Sequence, residues 1–276
     1  MKFFMKIFFN KTPQVNIIRM QGVISSSSRF LGSSNISLEN MEKPLLRAFT
    51  AKKVSGVALV INSPGGSPVQ CSLISERILQ LSKKHNVPVY SFIEDVAASG
   101  GYWLACSADK IYVMPSSILG SIGVITAGFG FVEVIKKIGI ERRVYSKGKN
   151  KGILDPFQPE NEEDVNLITH MQEEIHENFK EWVTIRRGKK LNKLDIEKEG
   201  IFEAKIFSGA KACKIGLADS VGELRSVMRE IFGEDVIFKE ITARKKLSQR
   251  LGLSSSVYFK IIEYIEERLA FARFGL

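Results

Sequence analysis

The apolar run Val87-Pro88-Val89-Tyr90-Ser91-Phe92-Ile93 leads, three residues later, into Ala97-Ala98-Ser99-Gly100-Gly101-Tyr102. The first part reads as a strand and Tyr102-Trp103-Leu104-Ala105 as the start of a helix, so Ser99 sits at a strand-to-helix turn. Glycines after such a serine let another backbone approach closely, because no side chain stands in the way. Nucleophile turns need this geometry. The bland alternative is a tight packing turn built from small residues, and this segment by itself does not decide between the two.

Upstream lies a second unit of the same kind. Val57-Ala58-Leu59-Val60-Ile61 reads as a buried strand ending in Asn62-Ser63-Pro64-Gly65-Gly66. Ser67 and Pro68 then supply an N-cap and a first-turn proline for a helix through Ile74, Ile78 and Leu81. Two successive strand-turn-helix units, each with a double glycine, predict a parallel sheet. Ligands in such sheets collect where strands end and helices begin, so both glycine turns should open on one edge.

Further elements fall around these units. Val15 to Ile24 alternates as a strand, Ser25 to Asn35 reads as a loop, Leu38 to Lys52 as a helix and Lys110 to Val113 as a short strand. Asn161 to Arg187 carries Ile168, Met171, Ile175, Phe179 and Trp182 at helical spacing, which predicts one buried face with His170 opposite it in solvent. Phe207 to Leu217 reads as a short helix with a glycine stop. The stripe Tyr258, Ile262, Ile265, Leu269 and Ala272 marks a last amphipathic helix, Ser256 to Arg273, that meets a neighbouring subunit or a membrane.

The 276 residues suffice for one large α/β domain, and no repeat or linker divides them. We place a basic, aromatic arm at 1–14, the main domain at 15–240 and a helical extension at 241–276. The net charge is +10, from 40 basic and 30 acidic residues, but no RNA-binding signature or zinc-finger spacing accompanies it. The expectation is contact with an anionic membrane surface or simple solubility, and no nucleic acid. Cys71, Cys106 and Cys213 lie in apolar segments without metal-like spacing, as buried thiols of a reducing compartment do, and no metal or cofactor is expected. Met1 to Asn10 is too short and too interrupted by Lys6 for a span or signal peptide. It suits either shallow insertion at a membrane interface or packing on a neighbouring subunit.

A nucleophilic Ser99 would need a base and oxyanion donors. The Pro64-Gly65-Gly66 turn and Gly100 offer free amides at helix starts. His85, His170 and His176 read as surface histidines. A lysine base must be neutral, although its unperturbed pKa is about 10.4, and burial can lower it. Lys147, Lys149 and Lys151 are candidates. Lys151 precedes Gly152-Ile153-Leu154 and could turn inward, while a charged surface loop remains the plain reading of each.

Val60 to Gly66, Asp95 to Tyr102, Ala108 to Pro115, Gly120-Ser121-Ile122-Gly123-Val124, Lys151 and Ile206 to Asp219 together resemble, in order and spacing, the signal peptide peptidase A family of serine proteases. The resemblance covers about residues 16 to 233. It implies an α/β, Clp protease/crotonase-type fold of repeated ββα units with C-terminal helical elements. It further implies a Ser/Lys dyad with Ser99 as nucleophile and Lys151 as base, an oxyanion hole at Gly66 and Gly100, and Ser121 orienting the lysine amine. A homo-oligomeric ring or dome that cleaves apolar peptides, such as remnant signal peptides or membrane-derived segments, is the expected protein. Many relatives carry an N-terminal membrane anchor, and no spanning segment precedes the first strand here. The expected address is therefore cytoplasmic or peripheral on the inner membrane. Two other classes share the fold class: a crotonase-like acyl-CoA enzyme, and a catalytically silent membrane-associated scaffold.

Overall fold

In the computed structural model, residues 12–26, 35–191, 193–242, 265 and 268–276 are described. The strands are β1 (Gln14–Gln21), β2 (Val54–Ser63), β3 (Val89–Ala98), β4 (Lys110–Val113), β5 (Ile118–Gly120), β6 (Ile206–Ser208), β7 (Ser220–Val221) and β8 (Ile237–Glu240). The helices are α1 (Leu38–Phe49), α2 (Pro68–His85), α3 (Gly100–Ala105), α4 (Val132–Lys137), α5 (Glu162–Arg187), α6 (Lys193–Glu199), α7 (Gly209–Lys214) and α8 (Leu224–Phe232). One sheet runs β6-β5-β3-β2-β1-β8, with β4 also beside β3 and β7 beyond β4. Among the described strands only the β5–β6 pair is antiparallel.

The sheet is covered on both faces, which is why its strands read as nearly continuous apolar runs. Side chains alternate across each strand. Val57, Leu59 and Ile61 face the core under α1, α2 and α3. Ala58, Val60, Phe92 and Tyr112 face the opposite layer, where Val227 and Met228 of α8 cover them. The one polar side chain buried in β1, Asn16, donates to Ala48 O at 2.7 Å and so ties α1 to the sheet.

Ser67 and Pro68 start α2 as the sequence predicts, with Ser67 Oγ accepting from Gln70 N. The first strand ends at Gln21, because Gly22 turns at φ 96°, and Ile24 instead bridges Ile36 and Gly66. The helix expected over Leu38 to Lys52 stops at Phe49. Phe207 belongs to a strand: β6 pairs with β5, and only Gly209–Lys214 is helical, capped by Ser208 and stopped at Gly216 (φ 85°). Cys71 and Cys106 are buried, whereas Cys213 is half-buried.

The long helix α5 departs further from expectation. Of its predicted stripe only Phe179 is buried; Ile168, Ile175 and Trp182 are half-buried and Met171 is 48% exposed. The buried face continues instead through Val183 and Arg187. At about 1.5 Å per residue the helix is nearly 40 Å long, and its fully buried residues all fall in its second half. Apolar periodicity identifies a face that seeks cover without saying which surface provides it.

Among the described residues no helix is long and apolar enough to cross a membrane. The expected arm at 1–14, apart from residues 12–14, and most of the helix expected over Ser256 to Arg273 lie outside the described residues.

Candidate active site

Ser99 follows the last residue of β3 and precedes α3, with φ 50° and ψ −121°. A non-glycine residue in this region is strained, and such strain is held in place by its surroundings. Here Ser99 N donates to Gly120 O at 2.8 Å, and Ser99 O accepts from Tyr102 N and Trp103 N. The side chain does not cap α3, and among the described residues Oγ has no hydrogen-bonding partner. The hydroxyl is half-buried and available.

The second glycine turn comes to the same point. Gly65 and Gly66 adopt φ 107° and 144°, and Ile24 straps the turn: Ile24 N donates to Gly65 O at 2.9 Å and Ser67 N to Ile24 O at 2.8 Å. A Cβ on Gly66 would lie 2.0 Å from Ile24 O, so no side chain fits. This pairing skips the amide of Gly66. The Gly100 amide, first of α3, likewise lacks a backbone acceptor, as helix starts do. The two amides are neighbours, since a Cβ on Gly100 would sit 3.3 Å from Gly66 N and one on Gly65 2.9 Å from both Gly100 N and Ser99 Cβ. Two unpaired N–H donors beside one hydroxyl can stabilise an oxyanion.

Ser121 stands next to this cluster by register. Ala98 pairs with Gly120, so Ser99 and Ser121 are the residues that follow the last paired positions of adjacent strands. Ser121 also has positive φ (52°), is half-buried, and its amide donates to Lys205 O at 2.7 Å. The structure therefore brings together Ser99, Gly66, Gly100 and Ser121. It does not bring Lys151 to them. Lys151 is exposed, on a segment over 124–160 that is mostly exposed, and its amine makes no hydrogen bond or ion pair among the described residues. The segment has its own small framework: Phe131 packs on Phe157, and Arg142 lies 5.0 Å over the Phe157 ring and 2.9 Å from Asp155. Lys147 is exposed, and Lys149 pairs with Glu163 at 2.7 Å, a hydrogen bond that raises its pKa.

Among the described residues no histidine hydrogen-bonds to Ser99. His170 is exposed between Glu173 and Glu174, as expected. His85 is half-buried at the end of α2. His176, read from sequence as a surface residue, is half-buried, and its Nε2 lies 3.1 Å from Ile122 O, one residue past Ser121. Its role is to fix that chain segment.

The site rests on contacts that the motifs do not announce. Trp103 of α3 packs at 4.9 Å on Phe179 and 6.0 Å on Trp182, whose Nε1 donates to Trp103 O. Arg186 donates to the carbonyls of Cys106, Ser107 and Ala108 at the end of α3. Arg187, 2% exposed, donates to Gly216 O and pairs with Asp219 at 2.7 Å. Asp219 also accepts from Ile111 N and pairs with Lys190. Burial alone would raise the Asp219 carboxyl, but Lys190, the Ile111 amide and Arg187 outweigh it and hold it below the ordinary range. Burial dominates the two inner thiols, pushing Cys71 to about 12 and Cys106 to about 11, so neither serves as a nucleophile. The sequence signal for Arg187 is its place four residues after Val183, where the buried stripe continues with a charge.

The model of peptidase family S49 matches residues 82–234. Among curated proteins, the chain is 40% identical over 277 residues to "Na(+)/H(+) antiporter NhaA" of Brucella abortus (strain 2308), covering 95% of this chain and 37% of that protein. It is 30% identical over 217 residues to "Serine protease SPPA, chloroplastic" of Arabidopsis thaliana, covering 76% of this chain and 31% of that protein. The chain thus spans about a third of the length of both. A solved structure, the 1510-N membrane-bound stomatin-specific protease, is similar in fold with a TM-score of 0.52 at 14% identity, covering 84% of this chain and 99% of that one. The α/β fold expected from the motifs is the fold found.

Proposed function

The chain belongs to peptidase family S49, and from that membership we propose that it is a serine endopeptidase acting on apolar peptides. One observation carries the reading: the unpaired amides of Gly66 and Gly100 flank a serine held at φ 50° with its hydroxyl unengaged. In this scheme Ser99 Oγ attacks the scissile carbonyl and its proton passes to neutral Lys151. The Gly66 and Gly100 amides hold the oxyanion of the tetrahedral intermediate. Collapse expels the amine, which takes the proton back from Lys151, and leaves an acyl-serine. Water activated by the same lysine then releases the acid. Ser121, beside Ser99 by register, orients the lysine amine.

A general base works best out of bulk water, and Lys151 is exposed in the single chain. Its segment presents Ile125 (68% exposed), Phe129 (82%) and Ile138 (63%) to solvent. Large apolar side chains left in solvent along one segment support reading it as an interaction site. We read the segment as the contact of a homo-oligomer, in which assembly covers these residues and desolvates Lys151 beside a serine.

An apolar groove of about 550 Å³ supports the substrate class. Pro68, Val69, Leu73, Trp103, Trp182 and Ile185 line it. Pro68 opens α2 and Trp103 lies in α3, the two helices that follow the glycine turns, so the groove runs between those helices and α5. Remnant signal peptides and membrane-derived segments have the matching chemistry. The excess of basic residues supports peripheral contact with an anionic membrane, which flotation with anionic vesicles tests; a chain that stays in the dense fraction removes that contact from the proposal.

The direct test is cleavage of a fluorogenic apolar peptide by the wild type, Ser99→Ala and Lys151→Ala. Loss of turnover in both variants with the assembly intact is expected. Full activity in Lys151→Ala would overturn the dyad.

A further inference from the structure

Three residues before Ser99, β3 changes neighbours. Tyr90 to Ile93 pairs with β4, and Val96 to Ala98 pairs with β5. The pairing with β2 breaks at the same place: Ile61 faces Ile93 and Ser63 faces Ala97, so the single residue Asn62 stands against Glu94, Asp95 and Val96. This is a bulge with two extra residues on β3. Bulges next to active sites re-aim the chain that follows them.

Both sides of the bulge are held by side chains. On the β2 side, Asn62 Oδ1 accepts from Val96 N at 3.3 Å, and Asn62 Nδ2 donates to Asp95 Oδ2 at 2.7 Å. Asn62 is itself fixed, since its carbonyl accepts from Gly22 N at 3.0 Å. On the other side, Ser117, 2% exposed, donates to Glu94 O at 2.6 Å and accepts from Met114 N at 3.0 Å. The same Asn62 begins the turn that ends in Gly66. One amide side chain thus links the strand that ends in the serine to the strand that ends in the oxyanion glycines.

We propose that Asn62, through its paired hydrogen bonds to Val96 and Asp95, is a positioning residue that sets Ser99 against the Gly66 amide. The proposal rests on Ser99 being the nucleophile. Losing the Val96 bond frees the bulge to slide and moves Ser99 relative to the donors. Displacements of this scale cost large factors in rate with little effect on substrate binding. Asn62→Ala should therefore lower kcat at least tenfold while KM changes less than twofold.

The pair can also be exchanged. Asn62→Asp keeps an acceptor for Val96 N but sets a carboxylate against Asp95. Adding Asp95→Asn restores a donor in that pair, so the double variant regains both hydrogen bonds, the side-chain pair with its polarity reversed and Val96 N donating as before. The experiment measures the second-order rate of Ser99 acylation by a fluorophosphonate in wild type, Asn62→Ala, Asn62→Asp and the double variant, each assembled as the full chain. Slow acylation in both single variants, with the double variant within threefold of wild type, is expected. Wild-type rates in Asn62→Ala, or a double variant as slow as Asn62→Asp, would overturn the proposal. If Asn62→Ala fails to fold, the exchanged pair alone decides. A wild type that does not label at Ser99 would instead overturn the nucleophile assignment, which separates the two failures.

Discussion

Cys71 lies directly behind Gly100: a Cβ added to Gly100 would meet Cys71 Sγ at 2.6 Å. The thiol is buried, so it cannot move aside into solvent. Gly100→Ala should therefore shift the start of α3 and its amide, lowering kcat by about 10²-fold, the usual cost of a misplaced oxyanion donor. Cys71→Ala removes the obstructing sulfur. Combining the two should recover at least tenfold of the loss, read as a double-mutant cycle on kcat. Additive effects would show that the thiol does not set the position of Gly100.

The Arg187–Asp219 pair makes stability depend on acid. Asp219 is held below its ordinary range, so its contribution is fully present above the unfolded-state value of about 3.9 and is lost as pH falls through the lower folded value. The unfolding temperature should drop steeply below about pH 4. Asp219→Asn should cost about 3–5 kcal/mol near neutral pH, because it leaves Arg187 buried without its charge partner, and should flatten that acid limb. Calorimetry on both proteins from about pH 3 to about pH 7, across the carboxylate range, checks this.

Phe179 is the fully buried ring among the contacts through which α5 holds Trp103 and the helix that follows Ser99. Phe179→Ala should destabilise by about 3–5 kcal/mol in a denaturant titration. A loss under about 1 kcal/mol would mean that α5 docks independently of this ring.

The exposed segment over 124–160 predicts a link between assembly and turnover. Phe129→Ser combined with Ile138→Ser should reduce the assembly measured by light scattering and lower specific activity at least tenfold, with the far-ultraviolet spectrum unchanged. Smaller particles with full activity would separate Lys151 from the assembly contact.

The parallel sheet and its two glycine turns are legible in the sequence because β2 and β3 are buried on both faces and each turn is spelled by glycines whose Cβ positions are occupied by neighbouring atoms. Gly66 illustrates this: at φ 144° and with Ile24 O where a Cβ would be, its identity encodes its geometry. The short strands β5 and β6 are not legible, since three residues carry no period, and their place is set by pairing with distant chain. Asn62 and Ser117 are equally silent, because a polar residue in a strand looks like a strand end until its partner is known. The α5 stripe is legible as apolar but not as to what covers it, and Met171 stays exposed in the single chain. Lys151 shows the same limit: its spacing from Ser99 is readable, while among the described residues nothing covers its side chain.

The central claim is tested most directly by mapping fluorophosphonate labelling of the assembled chain by peptide mass spectrometry. We predict one label per chain on Ser99, none in Ser99→Ala, and labelling slowed by at least about 10²-fold in Lys151→Ala, the scale of a lost general base. An unlabelled Ser99, or labelling of Lys151→Ala at the wild-type rate, would contradict it.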